Sequence, residues 1–214
     1  LKRFFGINKL LSPATSKEIW DECNAKLRSP EYSVRQLILN ANVHTICTTD
    51  DPVDSLVYHK QIKNSEFTVS VLPAWRPDKA MAVENTKNFN DYLDKLAEVS
   101  GITINTFGSF MEALNTRHDY FHNNGCRLSD HGIETAITED FTLEEISALF
   151  IRIRKGIDLT KEEILKFKSC MLFEFGVRDH SRDWTQQFHL GALRNNSTRL
   201  FNKLGPDTGF DSIG

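Results

Sequence analysis

The fold class of this chain follows from the stretch His189-Leu190-Gly191-Ala192-Leu193-Arg194-Asn195. It comes after a short strand-like run, Gln187-Phe188, and so places an imidazole and a guanidinium where a buried strand ends. In α/β folds, ligands bind at the carboxyl ends of the strands. Two polar segments upstream, Ala74–Lys79 and Leu128–Gly132, also follow apolar, strand-like runs. We therefore expect three polar clusters at three strand ends, forming one incomplete active-site rim.

Strand-like runs alternate with helical segments along the chain. The predicted strands are Val43–Thr49, Phe67–Pro73, Cys126–Ser129 and Thr185–His189. The predicted helices are Pro13–Leu27 with Ser12 as its cap, Ser33–Asn40, Asp51–Lys63, Phe89–Val99, Phe107–His122, two that open at the capping boxes Thr142–Glu145 and Thr160–Glu163, and Ser197–Lys203. Such alternation predicts an α/β fold with a parallel sheet and right-handed crossovers. Four strands suffice for half of an eight-stranded barrel or for a small open sheet.

Composition excludes two classes of partner. The formal charge of −3 and the absence of a basic stripe argue against nucleic acid. No apolar run approaches the roughly 20 residues that span a bilayer, so a membrane is not expected. The chain begins at Leu1 without an initiator Met, and its last ten residues, Gly205–Gly214, have loop chemistry and no closing element. We expect a piece cut from a longer polypeptide.

The four cysteines, Cys23, Cys47, Cys126 and Cys170, are far apart and form no Cys-x-x-Cys motif. We expect free thiols in a reducing compartment, and hence a cytoplasmic protein. Cys47 and Cys126 fall in strands that we predict to be buried.

Five segments of the chain carry a family resemblance. They are Cys47–Leu56, Trp75–Lys79, Gly125–Glu134, His189–Asn196 and Leu204–Ser212. Together they resemble the uronate isomerases (glucuronate isomerases), which belong to the amidohydrolase superfamily of TIM barrels. The resemblance implies a partial TIM barrel, about strands two to five, with helical insertions. Residues 1–42 would end a helical insertion, and residues 43–214 would form a barrel domain incomplete at both ends.

The resemblance implies an aldose–ketose isomerase. D-glucuronate would convert to D-fructuronate, and D-galacturonate to D-tagaturonate, with a divalent metal, usually zinc, at the barrel mouth. The family's main metal ligands are a His-x-His pair on the first strand and an Asp on the last strand, and neither matches a residue of this chain. The strand-five His falls on His189, which leaves one candidate ligand. We expect the isolated chain to be inactive and to hold no complete metal site.

The chemistry of a sugar acid assigns roles to five residues. Moving a carbonyl between C1 and C2 needs a base, an acid and stabilisation of the enediolate charge, and the substrate carboxylate needs a cation. With the resemblance, the predicted catalytic residues are His189 and Asp130, and the predicted substrate-binding residues are Arg76, Ser129 and Arg194. Structural alternatives remain open: a hydrogen-bonded strand histidine, an Arg76 surface ion pair, a turn or cap role for Asp130, and an Arg194 that braces a turn.

Other functions also remain open. The same scaffold supports metal-assisted hydrolysis, and a chain without most metal ligands can be a folding or assembly unit. Half a barrel would expose sheet edges, so we expect self-association.

Two helical patterns are interpreted as structural. His118 and His122 have the spacing of a zinc motif, but Asp119 replaces the Glu and no third ligand is evident, so we interpret them as a solvated helix face. Phenylalanines at apolar helical spacing are expected to pack in the core. They are Phe150, Phe167, Phe173 and Phe175.

Overall fold

The computed structural model describes residues 1–213, and its architecture is α/β, as predicted. The helices are α1 (Lys2–Phe5), α2 (Ser16–Leu27), α3 (Val34–Asn40), α4 (Val57–Lys63), α5 (Thr86–Ser100), α6 (Phe107–Asn123), α7 (Leu143–Arg154), α8 (Lys161–Ser181) and α9 (Thr198–Leu204). The strands are β1 (Thr45–Cys47), β2 (Ser70–Leu72), β3 (Leu128–Ile133), β4 (Thr185–Leu190), β5 (Ala192–Leu193) and β6 (Ser212–Ile213). Short 3₁₀ turns occupy Pro30–Tyr32 and Asp78–Met81.

The described chain divides into two compact units. The first comprises Leu1–Cys47 and Val57–Leu72, and within it β1 and β2 pair in parallel. The second comprises residues 48–56 and 73–213 and holds the remaining strands and helices. The predicted boundary between residues 42 and 43 rests on the family resemblance and stays a prediction.

Parallel neighbours organise the second unit. Trp75 bridges Asp50 on one side and Ser129 of β3 on the other, both in parallel, and β3 pairs in parallel with β4. The backbone hydrogen bonds are regular: Arg76 N–H donates to Asp50 O at 2.9 Å, and Asp130 N–H donates to Trp75 O at 2.9 Å. Four chain segments therefore run side by side in one direction, and their pairing is parallel, as predicted from the strand and helix alternation.

The core of this unit lies among α5, α6, α7 and α8. Phe110 is fully buried and stacks on Phe150 at a centroid distance of 5.3 Å, with Phe89 edge-on at 6.0 Å. Edge-to-face and offset pairs of this kind add to the burial of apolar area. The prediction that Phe173 packs in the core is wrong, because this residue of α8 is 61% exposed.

Helix boundaries follow the capping chemistry. Thr142 and Thr160 each form both hydrogen bonds of a capping box with the glutamate three residues on, as predicted. Gly101 ends α5 in the left-handed conformation, which glycine adopts without a Cβ penalty.

Two predicted helix starts are wrong. Ser12 O accepts the N–H groups of Thr15 and Ser16 in a turn, so α2 begins at Ser16 instead of Pro13. Asp51 and Asp54 close a turn through their side chains, and α4 begins only at Val57. In both places, local polar side chains give the backbone an alternative to the helix.

The strand limits also differ from the prediction. β3 begins at Leu128 and continues to Ile133, so its polar residues lie within the strand and not after it. The tail is not all loop, because Ser212–Ile213 pairs antiparallel with Ala192–Leu193.

The four cysteines are free, as predicted. Cys126 is buried, and burial raises the pKa of its thiol to about 12. Cys47, predicted to be buried, is exposed. No helix among residues 1–213 is long and apolar enough to cross a membrane.

Candidate functional site

Adjacent parallel segments bring three of the predicted site residues together. Arg76 follows Trp75 in the segment beside β3, Asp130 lies in β3, and His189 lies near the carboxyl end of β4. The register places Gly132 opposite His189. Paired residues on neighbouring parallel strands point their side chains to the same face of the sheet. The register therefore places the His189 side chain on the face of the sheet that carries Asp130.

Alternation along β3 divides its polar side chains between two faces. Asp130 and Gly132 share one face, and Ser129 and His131 share the other. The first face carries Arg76 and His189. The second faces α8, whose Phe175 stacks on His131 at a centroid distance of 5.6 Å.

Asp130 is the centre of the first face. Its side chain is only 7% exposed, and it lies between a cation and an imidazole. Arg76 NH1 is 3.6 Å from Asp130 Oδ2, and His189 Nε2 is 3.2 Å from Asp130 Oδ1. Oδ1 accepts no hydrogen bond within the described residues. A buried carboxylate oxygen without a donor is costly, and His189 Nε2, 3.2 Å away, is the neighbouring nitrogen that can donate to it when it carries the proton.

His189 also contacts Gln187, which points to the same face of β4. Gln187 Nε2 is 2.7 Å from His189 Nε2, the atom that faces Asp130. A ring nitrogen that carries a proton donates a hydrogen bond, and one without a proton accepts a hydrogen bond. A bond to the Asp130 carboxylate needs the proton on Nε2, whereas a bond from the Gln187 amide needs Nε2 without it. The Gln187 amide and the Asp130 carboxylate therefore both lie within contact distance of the same ring nitrogen.

Asp78 holds Arg76 in place from the other side. Arg76 Nε–H donates to Asp78 Oδ2 at 3.2 Å, and the Gly132 N–H donates to the same oxygen at 3.0 Å. His131 Nδ1 is 3.5 Å from Asp78 Oδ1. Burial acts to raise the pKa of Asp78, but the His131 imidazole, the Gly132 N–H and the Arg76 charge outweigh it, and the pKa is lowered.

The predicted substrate-binding residue Ser129 lies on the second face and is fully buried. Its hydroxyl donates to Asp179 Oδ2 at 2.6 Å, and His131 Nε2 is 3.2 Å from the same hydroxyl. Asp179 Oδ1 is 3.2 Å from His118 Nε2. These contacts tie β3 to α6 and α8 through a buried polar network.

The interpretation of His118 and His122 as a solvated helix face is wrong. His118 is 3% exposed and stacks on Trp184 at a centroid distance of 3.9 Å. His122 Nδ1 accepts a hydrogen bond from the Trp184 indole at 3.0 Å. Both histidines therefore have structural partners.

The ion pair of Arg194 is with Asp211. Arg194 donates to Asp211 at 2.7 Å, and this bond together with the negative charge raises the pKa of Arg194. It lines a cavity of about 460 Å³ that also includes Asp78, Gly132 and Lys168. A cavity of this size accepts a small ligand.

The described residues do not fit a metal centre. No group of three or more His, Cys, Asp or Glu side chains in residues 1–213 is arranged to hold a metal ion. Structural and catalytic zinc sites use three or four protein ligands. His189 and Asp130 together supply at most two.

The sequence predicts no role for His131, Gly132 and Asp179, and for Asp78 only the alternative ion pair with Arg76, which the structure contains. His131 and Gly132 lie inside the Gly125–Glu134 segment, and a glycine inside a strand signals close approach by another group. Asp179 gave no signal, because it lies fifty residues from Ser129 on a helix.

Comparison with known proteins places the chain in a family. A family model described as glucuronate isomerase matches residues 1–214. The uronate isomerase of Phocaeicola vulgatus is 58% identical over 214 residues, which is all of this chain and 46% of that protein. The crystal structure of uronate isomerase from Thermotoga maritima superposes with a TM-score of 0.92 at 36% identity, covering all of this chain and 47% of that one.

A second solved structure of this family also superposes on the whole chain. The glucuronate isomerase of Caulobacter crescentus superposes with a TM-score of 0.89 at 31% identity, over all of this chain and 44% of that one. The chain spans about half the length of these relatives. By the match over all of its residues, this chain belongs to the glucuronate isomerase family.

Proposed function

We propose that this chain forms the substrate-binding part of a uronate isomerase that interconverts D-glucuronate and D-fructuronate, and D-galacturonate and D-tagaturonate. The observation that supports this most is the buried Asp130 carboxylate between Arg76 and His189. A cation, a carboxylate and an imidazole at one strand edge are the groups that binding and isomerising a sugar acid require.

The roles follow from the contacts. Arg76 supplies N–H donors and positive charge for the carboxylate or an oxygen of the uronate. Asp130 and His189 form an acid–base pair: one takes the proton from C2 and returns it to C1, and the other carries the hydroxyl proton from O2 to O1 as the carbonyl moves. C2 is oxidised as C1 is reduced, so no external oxidant is needed. For Ser129, bound to Asp179, we propose a structural role.

The proposed architecture is a partial TIM barrel, about strands two to five. It is supported by the four parallel segments of the second unit and by the likeness to uronate isomerase structures. Zinc is the metal that we propose for the whole enzyme, with His189 as one candidate ligand and the other ligands outside this chain, and no step above is assigned to it. The four free thiols agree with a cytoplasmic protein.

The test is a chimera in which this chain replaces the matching residues of the Phocaeicola vulgatus enzyme, assayed with uronates and with a panel of amides and lactones. We expect isomerisation of uronates and no hydrolysis. A folded chimera that hydrolyses the panel, or that leaves uronates unchanged, contradicts the proposal. The isolated chain, assayed beside it, is expected to be inactive.

A further inference from the structure

Gly132 lies within β3, where glycine weakens a strand because it has no side chain to pack. Its backbone is outside the left-handed region, unlike that of Gly101 or Gly191. Any L residue can adopt such a conformation, so the backbone does not require glycine here. The reason for this glycine lies in its surroundings.

The space beside Gly132 is filled by the Arg76 guanidinium. A Cβ at position 132 would lie 2.6 Å from Arg76 NH2, 3.6 Å from Arg76 Cζ and 3.5 Å from Asp78 Oδ2. A carbon–nitrogen distance of 2.6 Å is far inside van der Waals contact. Because the guanidinium ends a flexible side chain, an added methyl group would displace it instead of unfolding the strand.

The guanidinium is fixed against this surface by shared hydrogen bonds. Asp78 Oδ2 accepts both the Arg76 Nε–H and the Gly132 N–H. His131, which lies near Asp78 Oδ1, is held between Phe175 and Phe188 at centroid distances of 5.6 and 5.4 Å. The carboxylate that holds Arg76 therefore lies beside a fully buried ring.

We propose that Gly132 is a specificity-determining position: its missing side chain lets Arg76 lie against β3, where the guanidinium selects a substrate that carries a carboxylate. This inference rests on the proposed function. Gly132 does not touch the reacting atoms, and it acts through Arg76.

The experiment uses the full chain and its variants Gly132→Ala, Arg76→Gln and the double variant. Gly108→Ala is the matched control, because a Cβ there meets only Thr106 Oγ1, at 3.8 Å. Two quantities are measured: the NMR resonance of the Arg76 Nε–H, and the affinities for D-glucuronate and for the neutral sugar D-glucose. Thermal melting confirms that each variant is folded.

We expect Gly132→Ala to shift the Arg76 resonance and to lower D-glucuronate affinity about 10- to 100-fold, as loss of a charge-assisted hydrogen bond does. Affinity for D-glucose should not change, and the double variant should be no weaker than Arg76→Gln alone. Gly108→Ala should match the wild type.

Two results overturn the inference in different ways. In the first, the wild type prefers D-glucuronate, and either Gly132→Ala keeps that preference or the affinity losses of Gly132→Ala and Arg76→Gln add in the double variant. Gly132 then does not act through Arg76, and the proposed function stands. If the wild type binds D-glucuronate no better than D-glucose, the proposed function fails, and the inference fails with it.

Discussion

At the scale of single residues, the site depends on how Asp130 is buried. Its carboxylate is 7% exposed and has an arginine near one oxygen and a histidine near the other. An ionised carboxylate at such depth needs a partner of opposite charge. Arg76 is the cation in reach, and it is shared with Asp78. The two carboxylates together fix the direction of the guanidinium.

Arg76→Lys should retain the charge and lose the planar donor geometry. In the chimera, we expect KM for D-glucuronate to rise about 10- to 100-fold while kcat changes less, because the interaction is made in the ground state as well. Steady-state kinetics measures both constants. An unchanged KM would show that Arg76 does not bind the substrate.

The lowered pKa of Asp78 predicts a dependence of stability on pH. In the folded chain this pKa lies below the ordinary value of 3.8, so the unfolded chain takes up the proton first as the pH falls. The stabilisation is present above 3.8 and is lost as the pH falls through the folded-state pKa.

Urea unfolding between about pH 5 and about pH 3 measures this loss. The wild type should lose more free energy of unfolding over that range than Asp78→Asn does. Asp91→Asn, on the surface of α5, is the control and should follow the wild type. Equal slopes for wild type and Asp78→Asn would refute the assignment.

The residues of the site could be predicted only where the chemistry is local. The segments with Arg76, Asp130 and His189 were found because each follows an apolar run, and the structure places the three together. The face of Ser129 could not be found, because the predicted strand ended there while β3 continues to Ile133. The partner of Ser129 is Asp179, which is distant in sequence.

At the scale of the elements, the N-terminal capping boxes and the glycine that ends α5 were the most predictable features. The boxes at Thr142 and Thr160 and the glycine after α5 set helix ends through contacts within four residues. The predicted helix start at Asp51 failed because the same carboxylate chemistry also closes a turn. Leu56 has a φ of 54°, which interrupts any helix that would continue from that turn.

Thr142→Ala should remove one capping hydrogen bond, the one that the Glu145 N–H donates to Thr142 Oγ1 at 3.2 Å. We expect a loss of about 1 kcal/mol in the free energy of unfolding, typical for an N-cap. Thr142→Ser, which keeps the hydroxyl, should lose much less. Urea denaturation of both variants measures the difference, and equal losses would exclude the cap as the cause.

At the scale of the whole molecule, β4 has an apolar, open edge. Among residues 1–213, β4 pairs with β3 on one side only, and Phe188 and Leu190 are 43% and 57% exposed. These residues and Phe173 line an apolar cavity of about 450 Å³. Unpaired strand edges and apolar patches favour association.

We therefore predict that the isolated chain associates at this edge. Light scattering over a concentration series should give a mass above that of a monomer, and Phe173→Gln should lower it. Trp20→Gln, which removes an aromatic residue with 68% exposure from the other unit, serves as the control. A monodisperse monomer at all concentrations would contradict the prediction.

The central claim is that Asp130 and His189 act as one acid–base pair on a uronate. The measurement is kcat/KM for D-glucuronate in the folded chimera carrying Asp130→Asn, His189→Asn or both. We predict that each single variant loses about 100-fold or more. The double variant should be no worse than the weaker single one, because the residues act as a unit. A single variant that keeps its kcat/KM, or losses that multiply in the double variant, would contradict the account.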